Sequence, residues 1–217
     1  MSANLKVMKR FGSVFFLALM LSFPAFADWT KIGSKEFQMA DPPAEGSDAD
    51  KVDLAEVHRL QESRTKAQCE LGKGMVSHTF ENLFASELTQ KEYDRVESVM
   101  GRVFKLTSKI GGYFKNRYTR PRPYTADESI VPCIPPPGGD LSYPSTHAAL
   151  GTVGGCVLAK TFPTKAKQLA TRGALIGDLR VVVGVHHPTD VKAGQTLGQE
   201  ICDRLFLEDD FLEELGN

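Results

Sequence analysis

The sequence lacks the features that mark several large classes of protein. Its four cysteines are widely spaced and form no C-x-x-C pair, which argues against a structural zinc site. Beyond the first 27 residues, no segment approaches the run of about 18 apolar residues that is typical of a membrane-spanning helix. Basic and acidic residues number 26 and 27, so there is no excess of positive charge for binding nucleic acid or anionic lipid. At 217 residues the chain is long enough for one sizeable domain.

The N-terminal segment differs in composition from everything after it. Three basic residues precede an apolar run from Phe11 to Phe23, which ends in Ala25-Phe26-Ala27. These are the three parts of a secretory signal peptide, so we expect residues 1–27 to be removed and the protein to be periplasmic or secreted. A membrane anchor is the alternative, but the run is shorter than the roughly 20 residues that a span requires. Removal leaves 23 basic against 27 acidic residues, a charge of −4, and predicts neither a nucleic-acid partner nor stable membrane insertion.

The four cysteines all lie after the predicted signal peptide. Because an exported protein folds under oxidising conditions, disulfides are expected to be possible among Cys69, Cys133, Cys156 and Cys202. Four cysteines allow three connectivities, and the sequence does not choose among them. Cys156 lies in an apolar, glycine-rich run, where a small buried residue is an alternative interpretation.

The pattern of apolar residues predicts an all-α protein, a single-domain helical bundle over residues 50–217 preceded by an extended or loosely packed lead-in over 28–49. Thr89 and Glu92 have the spacing of a capping box and predict a helix that reaches about Ile110, where Gly111-Gly112 ends or interrupts it. The other predicted helices are 51–69, 76–88, 113–120, 146–160, 165–183 and 188–207.

A proline-rich stretch from Pro121 to Pro144 separates the two halves of the chain. Its seven prolines, together with Gly138-Gly139, exclude a regular helix and a central strand. Long ordered loops in compact domains are usually functional, so this loop is expected to contribute to a site.

Polar residues with chemical potential form three clusters at or near this loop. The first is K-x6-R-P, which begins at Lys115; the second is P-S-x-H, which ends at His147; the third is R-x5-H-x3-D, which begins at Arg180. Taken singly, they resemble a solvated basic turn, a capped helix start and a surface pair at helical spacing. A helix start, however, offers free amides to an anion, and a carboxylate four residues after a histidine can orient its ring.

In this order and spacing the three clusters resemble the motifs of the type 2 phosphatidic acid phosphatase and vanadium haloperoxidase superfamily. The exported context is similar to that of its class A bacterial acid phosphatases. The resemblance implies an all-α bundle of the acid phosphatase and haloperoxidase type. It also implies a phosphomonoesterase that acts without metal or other cofactor on small phosphate esters, with lipid phosphates left open as substrates and a homo-oligomer left open as the assembly.

The resemblance also implies a role for each matching residue. The phosphoryl oxygens are expected to be held by Lys115, Arg122, Ser145, Thr146 through its amide, and Arg180. His186 is expected to be the nucleophile, oriented by Asp190. His147 is expected to protonate the departing alkoxide and then to activate water against the phosphohistidine. Phosphoryl transfer requires such a set, because it spreads negative charge over three oxygens.

The chain departs from the family pattern at two positions. Thr146 stands where the family usually has glycine, and Leu179 stands where a serine usually precedes the arginine of the third motif. These departures motivate an alternative, a phosphate- or phospholipid-headgroup-binding protein whose activity has been lost. A vanadate-dependent haloperoxidase is the other alternative, in which His186 would ligate vanadate.

The remaining histidines and acids receive simpler interpretations. The spacing from Arg180 selects His186 over its neighbour His187 as the nucleophile. His58 and His78 have no motif around them and are interpreted as helix-surface residues. No role is assigned to Asp127 or Asp178.

Overall fold

The computed structural model describes residues 28–216, so the predicted signal peptide lies outside the described residues. The regular structure in this range is helical, and its one β-bridge joins Pro121 to Leu141. The all-α prediction is confirmed. The α-helices of the described range are α1 (Asp48–Ser63), α2 (Lys66–Gly74), α3 (Phe80–Phe84), α4 (Gln90–Arg117), α5 (Pro123–Ala126), α6 (Thr146–Thr161), α7 (Ala166–Val182), α8 (Pro188–Leu205) and α9 (Asp209–Leu215). None of them combines the length and the hydropathy needed to cross a bilayer.

Helix α6 forms the centre of the bundle, between α7 and α8 and against α4. Twelve of its 16 residues are buried, which requires a helix that is apolar on all sides. It also requires close neighbours: a Cβ placed on Gly151 would lie 2.3 Å from the carbonyl oxygen of Gly173 in α7, so only glycine permits this approach. The packing holds the first turn of α6 beside the last turn of α7, and both turns carry predicted site residues.

The boundaries of three predicted helices are wrong, and one of these is the helix expected over 76–88, whose α-helical part is only α3. The helix expected over 51–69 is two helices, because the chain turns at Arg64 and Thr65 forms a new capping box with Gln68. Helix α4, whose capping box at Thr89 is confirmed, does not stop at Gly111-Gly112 but continues to Arg117. Gly111 is buried against α6, so tertiary packing outweighs the low helix propensity of glycine there.

The N-terminal segment and the C-terminus pack together, contrary to the loose lead-in expected from the sequence. Trp29, with 1% of its surface exposed, makes an edge contact with Phe211 of α9 at a centroid distance of 5.2 Å. Its amide donates to Asp210 at 3.0 Å. A few large apolar side chains, among them Ile32 and Phe37, hold the segment to the main apolar core. Because these residues do not form an amphipathic helical face, the sequence pattern did not reveal this packing.

The proline-rich loop contains one helical turn and one end of a disulfide. The expectation that its prolines exclude helix is wrong for one turn, α5, in which Pro123 occupies the first position, where a missing N–H removes no hydrogen bond. A disulfide joins Cys69 of α2 to Cys133 of this loop, and a second joins Cys156 of α6 to Cys202 of α8. Cys156 is therefore bonded rather than a lone buried thiol.

Candidate active site

Six of the eight predicted site residues line a cavity of about 510 Å³ between α4, α6, α7 and the proline-rich loop; Ser145 and Asp190 do not. Three cationic side chains line it, from Lys115, Arg122 and Arg180, and no carboxylate among the described residues does so. The other lining residues are Val76, His78, Ser108, Gly112, Asn116, Pro137, Gly138, Gly139, Leu141, Thr146, His147, Val185 and His186. Such a cavity is suited to an anion rather than to a divalent cation.

Lys115 lies in the last turn of α4, on the side that faces the loop. Its ammonium donates to the carbonyls of Leu141 at 3.1 Å and Ser142 at 2.9 Å. Burial, together with the nearby charge of Arg122, lowers the pKa of Lys115 to about 7. The charge on this side chain therefore changes near neutral pH.

The two arginines are held by backbone carbonyls, so their charges are not neutralised by carboxylates in direct contact. Arg122 donates to Gly139 at 2.9 Å and to Val185 at 2.8 Å. Arg180 donates to Gly72 at 2.7 Å through Nη2, while its buried Nε has no partner among the described residues. Burial lowers the pKa of Arg180 to about 10, which still leaves it charged at neutral pH. A buried donor without a partner indicates a place for a ligand acceptor.

His186 is placed by the turn that ends α7. Gly184 adopts a φ of +82°, which suits glycine, and the amides of Val185 and His186 then both donate to the carbonyl of Arg180. The Nη1 of Arg122 donates to Nε2 of His186 at 3.2 Å, so Nε2 carries the lone pair and the ring proton is on Nδ1. Burial lowers the pKa of His186 to about 3, and the ring is neutral.

The other side of the His186 ring faces Asp190, which does not line the cavity but lies behind it. Nδ1 is 3.3 Å from Oδ2 of Asp190 and 3.3 Å from the hydroxyl oxygen of Ser142. The Ser142 hydroxyl in turn donates to Oδ2 of Asp190. Arg120 donates to Oδ1 of Asp190 at 2.9 Å. Although burial opposes it, these contacts hold the pKa of Asp190 below its usual range. The carboxylate therefore stays charged and orients the imidazole.

Arg120 and Ser142 support the site, and the sequence patterns did not reveal either of them. Arg120 also donates to Asp50 at 2.7 Å and Asp53 at 2.8 Å, both in α1. This buried network ties α1 to the start of α8. Its only sequence signal is the position of Arg120 two residues before Arg122, which we interpreted as part of a solvated basic run.

The first turn of α6 presents free backbone donors. The hydroxyl of Ser145 accepts from the amide of Ala148, as expected of an N-cap, and Ser145 itself does not line the cavity. In the part of the chain that the structure describes, no acceptor contacts the amides of Thr146 and His147. These donors and the helix dipole favour an anion at this end of α6.

His147 lies on the same turn, with 8% of its surface exposed. Its Nδ1 is 3.0 Å from Nε2 of His78, and its buried Nε2 has no partner among residues 28–216. Burial, followed by the effect of neighbouring positive groups, lowers the pKa of His147 well below its usual range. The interpretation of His78 as a helix-surface residue is wrong, because it lies between α2 and α3 at the mouth of the cavity.

A family model described as the PAP2 superfamily matches residues 101–202, the range that holds the predicted site residues. Over this range, which is just under half of the chain, the protein is similar to the PAP2 superfamily. It is 38% identical over 98 residues to a non-specific acid phosphatase of Salmonella typhimurium strain LT2. This alignment covers 41% of this chain and 39% of that protein. It is 25% identical over 151 residues to a non-specific acid phosphatase of Providencia stuartii, which is 67% of this chain and 60% of that protein. The chain spans about two fifths of the length of the Salmonella relatives that it matches.

Solved structures of the PAP2 and haloperoxidase type share the fold. One is a bacterial vanadium-dependent iodoperoxidase, with a TM-score of 0.60 and 16% identity over 83% of this chain and 56% of that one. Another is a transmembrane PAP2-type phosphatidylglycerolphosphate phosphatase from Bacillus subtilis, with a TM-score of 0.57 and 22% identity over 78% of this chain and 89% of that one.

The two departures from the PAP2 superfamily pattern leave the chemical groups of the site in place. Thr146 is the first residue of α6 and has no positive φ. It lies against Gly111, where an added Cβ would be 3.3 Å from the threonine hydroxyl, so glycine in α4 makes room for this side chain. Leu179 is buried in the main apolar core and does not line the cavity. Neither residue removes a cation or an imidazole from the site.

The remaining histidines of the PAP2 fold lie outside the cavity. The Nε2 of His187 is 3.2 Å from the carbonyl oxygen of Pro121. His58 is not a bare surface residue: its Nε2 is 2.9 Å from a carboxylate oxygen of Asp127, and this pair links α1 to the proline-rich loop. Asp127, to which we assigned no role, thus has a structural one.

Proposed function

We propose that this protein is an exported phosphomonoesterase that hydrolyses phosphate esters through a phosphohistidine on His186, without metal. One observation carries the proposal: a neutral, buried imidazole, whose Nε2 accepts only from Arg122 among the described residues, lines a cavity with three cations and with two buried nitrogens, Arg180 Nε and His147 Nε2, that have no partner among residues 28–216. The match to the PAP2 superfamily model over residues 101–202 and the similarity to non-specific acid phosphatases support it.

In the first step, the phosphate group binds where these donors converge. Its oxygens accept from Lys115, Arg122, Arg180 and the free amides at the start of α6. Arg122 then donates to the phosphate instead of to His186, which frees Nε2 for attack. A bond forms between Nε2 and phosphorus as the ester P–O bond breaks, and Asp190 stabilises the positive charge that develops on the ring.

His147 lines the same cavity, and its Nε2, which has no partner among residues 28–216, is the group to which we assign proton transfer. A proton from Nε2 neutralises the departing alkoxide, which leaves as an alcohol. A water molecule then enters, gives its proton to Nε2 and attacks phosphorus, so that the P–N bond breaks and inorganic phosphate leaves. The same group acts first as acid and then as base.

The mechanism is tested with p-nitrophenyl phosphate in the presence of a chelator. We expect turnover by the full protein, a loss of at least about a thousandfold in His186→Ala, and no change in His58→Ala, which removes a histidine outside the cavity. Intact-protein mass spectrometry after an alkaline quench should show one added phosphoryl group that His186→Ala lacks. Unchanged turnover in His186→Ala, or loss of activity to the chelator, would refute the mechanism.

The alternatives give different results in the same experiment. Phosphate binding without turnover of any ester would indicate a binding protein. Vanadate is expected to inhibit, because it resembles the phosphoryl transition state, whereas halide oxidation on adding vanadate and peroxide would indicate a haloperoxidase.

Export rests on the signal-peptide pattern of residues 1–27 and is supported by the two disulfides, which form in oxidising compartments. N-terminal sequencing of the protein recovered from the periplasm or medium should begin at Asp28. Recovery from the cytoplasm with Met1 intact would contradict export without affecting the proposed chemistry.

A further inference from the structure

Two histidines from distant parts of the chain form a contact at the cavity. His78, between α2 and α3, places its Nε2 3.0 Å from Nδ1 of His147, and the ring centroids are 4.2 Å apart at an angle of 65°. His78 is exposed to solvent, whereas His147 is buried. The pair thus connects the outside of the protein to the interior of the cavity.

The contact couples the protonation of the two rings. A hydrogen bond between two imidazole nitrogens requires one to donate and the other to accept. If Nε2 of His78 donates, Nδ1 of His147 accepts, and the proton of a neutral His147 is then on Nε2. That nitrogen is the one without a protein partner among the described residues.

We propose that His78 is a positioning residue that selects the tautomer of His147 and relays a proton between solvent and this buried ring. The proposal rests on the phosphatase function proposed above. As the ester bond breaks, Nε2 of His147 gives its proton to the leaving oxygen, Nδ1 takes the proton of His78 Nε2, and Nδ1 of His78 takes one from water or buffer. Each of the two rings has then lost one proton and gained one on its other nitrogen, so both rings stay neutral.

The second half-reaction reverses the relay. After the first transfer, Nε2 of His147 has a lone pair and Nδ1 has a proton, which is the tautomer that can accept a proton from the attacking water. As Nε2 takes that proton, Nδ1 returns its own to His78, and Nδ1 of His78 releases one to solvent. The pair is then ready for another ester.

The charges around the pair explain why a relay is useful. Lys115 from α4, Arg122 from the proline-rich loop, and Arg180 from α7, followed by His186, all face the cavity. Burial, followed by the neighbouring His78 and Arg180, lowers the pKa of His147 well below its usual range. Partial burial, followed by the charges of Lys115, Arg180 and Arg122, also lowers the pKa of His78, but part of this residue is exposed and water reaches it. The relay delivers a proton without a stable, fully buried imidazolium.

The segment that carries His78 is anchored at both ends. On the α2 side, the carbonyl of Gly72 accepts from Arg180, and that of Gly74 accepts from the side-chain amide of Asn82 at 2.8 Å. On the α3 side, the hydroxyl of Thr79 caps the helix. His78 is therefore held beside His147 by the site and by α3 together.

The test uses esters whose leaving groups differ in their need for a proton. p-Nitrophenolate leaves readily as an anion, whereas the alkoxide of glycerol 2-phosphate must be protonated. In His78→Ala we expect kcat/KM to fall about 10- to 100-fold for glycerol 2-phosphate and to change less than about threefold for p-nitrophenyl phosphate. Imidazole in the buffer should restore part of the lost activity. His58→Ala is the matched control and should change neither value.

A second variant separates the relay from a structural role. His78→Gln retains a hydrogen-bonding side chain that cannot relay a proton, so it should show the same split, and sulfate affinity should confirm that the cationic cavity is intact in both variants. Equal losses on the two esters, or none on either, would overturn the relay while leaving the phosphatase proposal in place. If the unaltered protein hydrolyses neither ester, the proposed function fails, and the relay fails with it.

Discussion

The pKa of Lys115 makes anion binding by this cavity depend on pH near neutrality. With a pKa of about 7, Lys115 is about nine-tenths charged at pH 6 and only a few per cent charged at pH 8.5. A bound dianion favours the charged form and therefore raises the pKa of Lys115 in the complex. Affinity should be highest below pH 7 and should weaken as the pH rises above it, by up to tenfold per pH unit.

The size of the effect follows from the contact that is lost. A hydrogen bond to a charged group contributes about 1.5–3 kcal/mol, and because the charged fraction of free Lys115 falls about 30-fold between pH 6 and pH 8.5, we expect a loss of roughly 10- to 30-fold in affinity over this range. Burial and neighbouring cations lower the pKa values of the cavity histidines, and Arg180 titrates at about 10. Lys115 is therefore the group expected to titrate in this window.

Isothermal titration calorimetry with sulfate measures this dependence directly, because sulfate keeps its charge over the whole range. Lys115→Arg, which stays protonated, should bind sulfate with an affinity that changes less than about threefold over the same range. A flat profile for the unaltered protein would refute the reasoning. So would the same slope in Lys115→Arg.

Three other predictions concern positioning and packing. Asp190→Asn should lower kcat by at least about a hundredfold with a smaller change in KM, and should lower Tm, because it removes the carboxylate that orients the nucleophile and neutralises a buried guanidinium. Cys69→Ser, which opens the disulfide to the proline-rich loop, should reduce activity even below the melting temperature, because α2 and this loop border the cavity. Cys156→Ser should lower stability without lowering activity. From the loss of loop-closure entropy, each change should lower the free energy of unfolding by about 4 kcal/mol. Gly151→Ala should destabilise the fold by about 2 kcal/mol or more in urea unfolding, because its Cβ would meet a backbone oxygen.

Each of these predictions has a matched comparison. Gly101→Ala adds a methyl group to helix α4 where nothing lies within 4 Å, so it should stabilise slightly, and a similar loss in both alanine variants would contradict the packing argument. Equal activity losses in the two cysteine variants would contradict the claim that only the Cys69–Cys133 disulfide supports the active site. An Asp190→Asn protein with unchanged kcat would show that the carboxylate does not orient the nucleophile.

Much of the site was predictable because its residues lie in short motifs. Arg180, His186 and Asp190 are separated by a helix end and a turn, so local backbone geometry brings them together. The same holds for the capped start of α6. The contacts that were missed join segments far apart in sequence: His78 reaches His147 across 69 residues, and Arg120 reaches Asp190 across 70. No local pattern distinguishes such residues from surface histidines or basic turns.

The sequence by itself determined the helical class, which follows from periodicity, and spacing within a few turns was enough to predict the three motifs and to select His186 over His187 as the candidate nucleophile. The tertiary structure decided which cysteines pair, how the N-terminal segment packs onto α9, and which exposed histidine meets the buried one. It also decided the charges of the site, because the pKa values of Lys115 and His186 depend on how much water the fold leaves around them. Desolvation is a property of the packed molecule, and no stretch of sequence carries it.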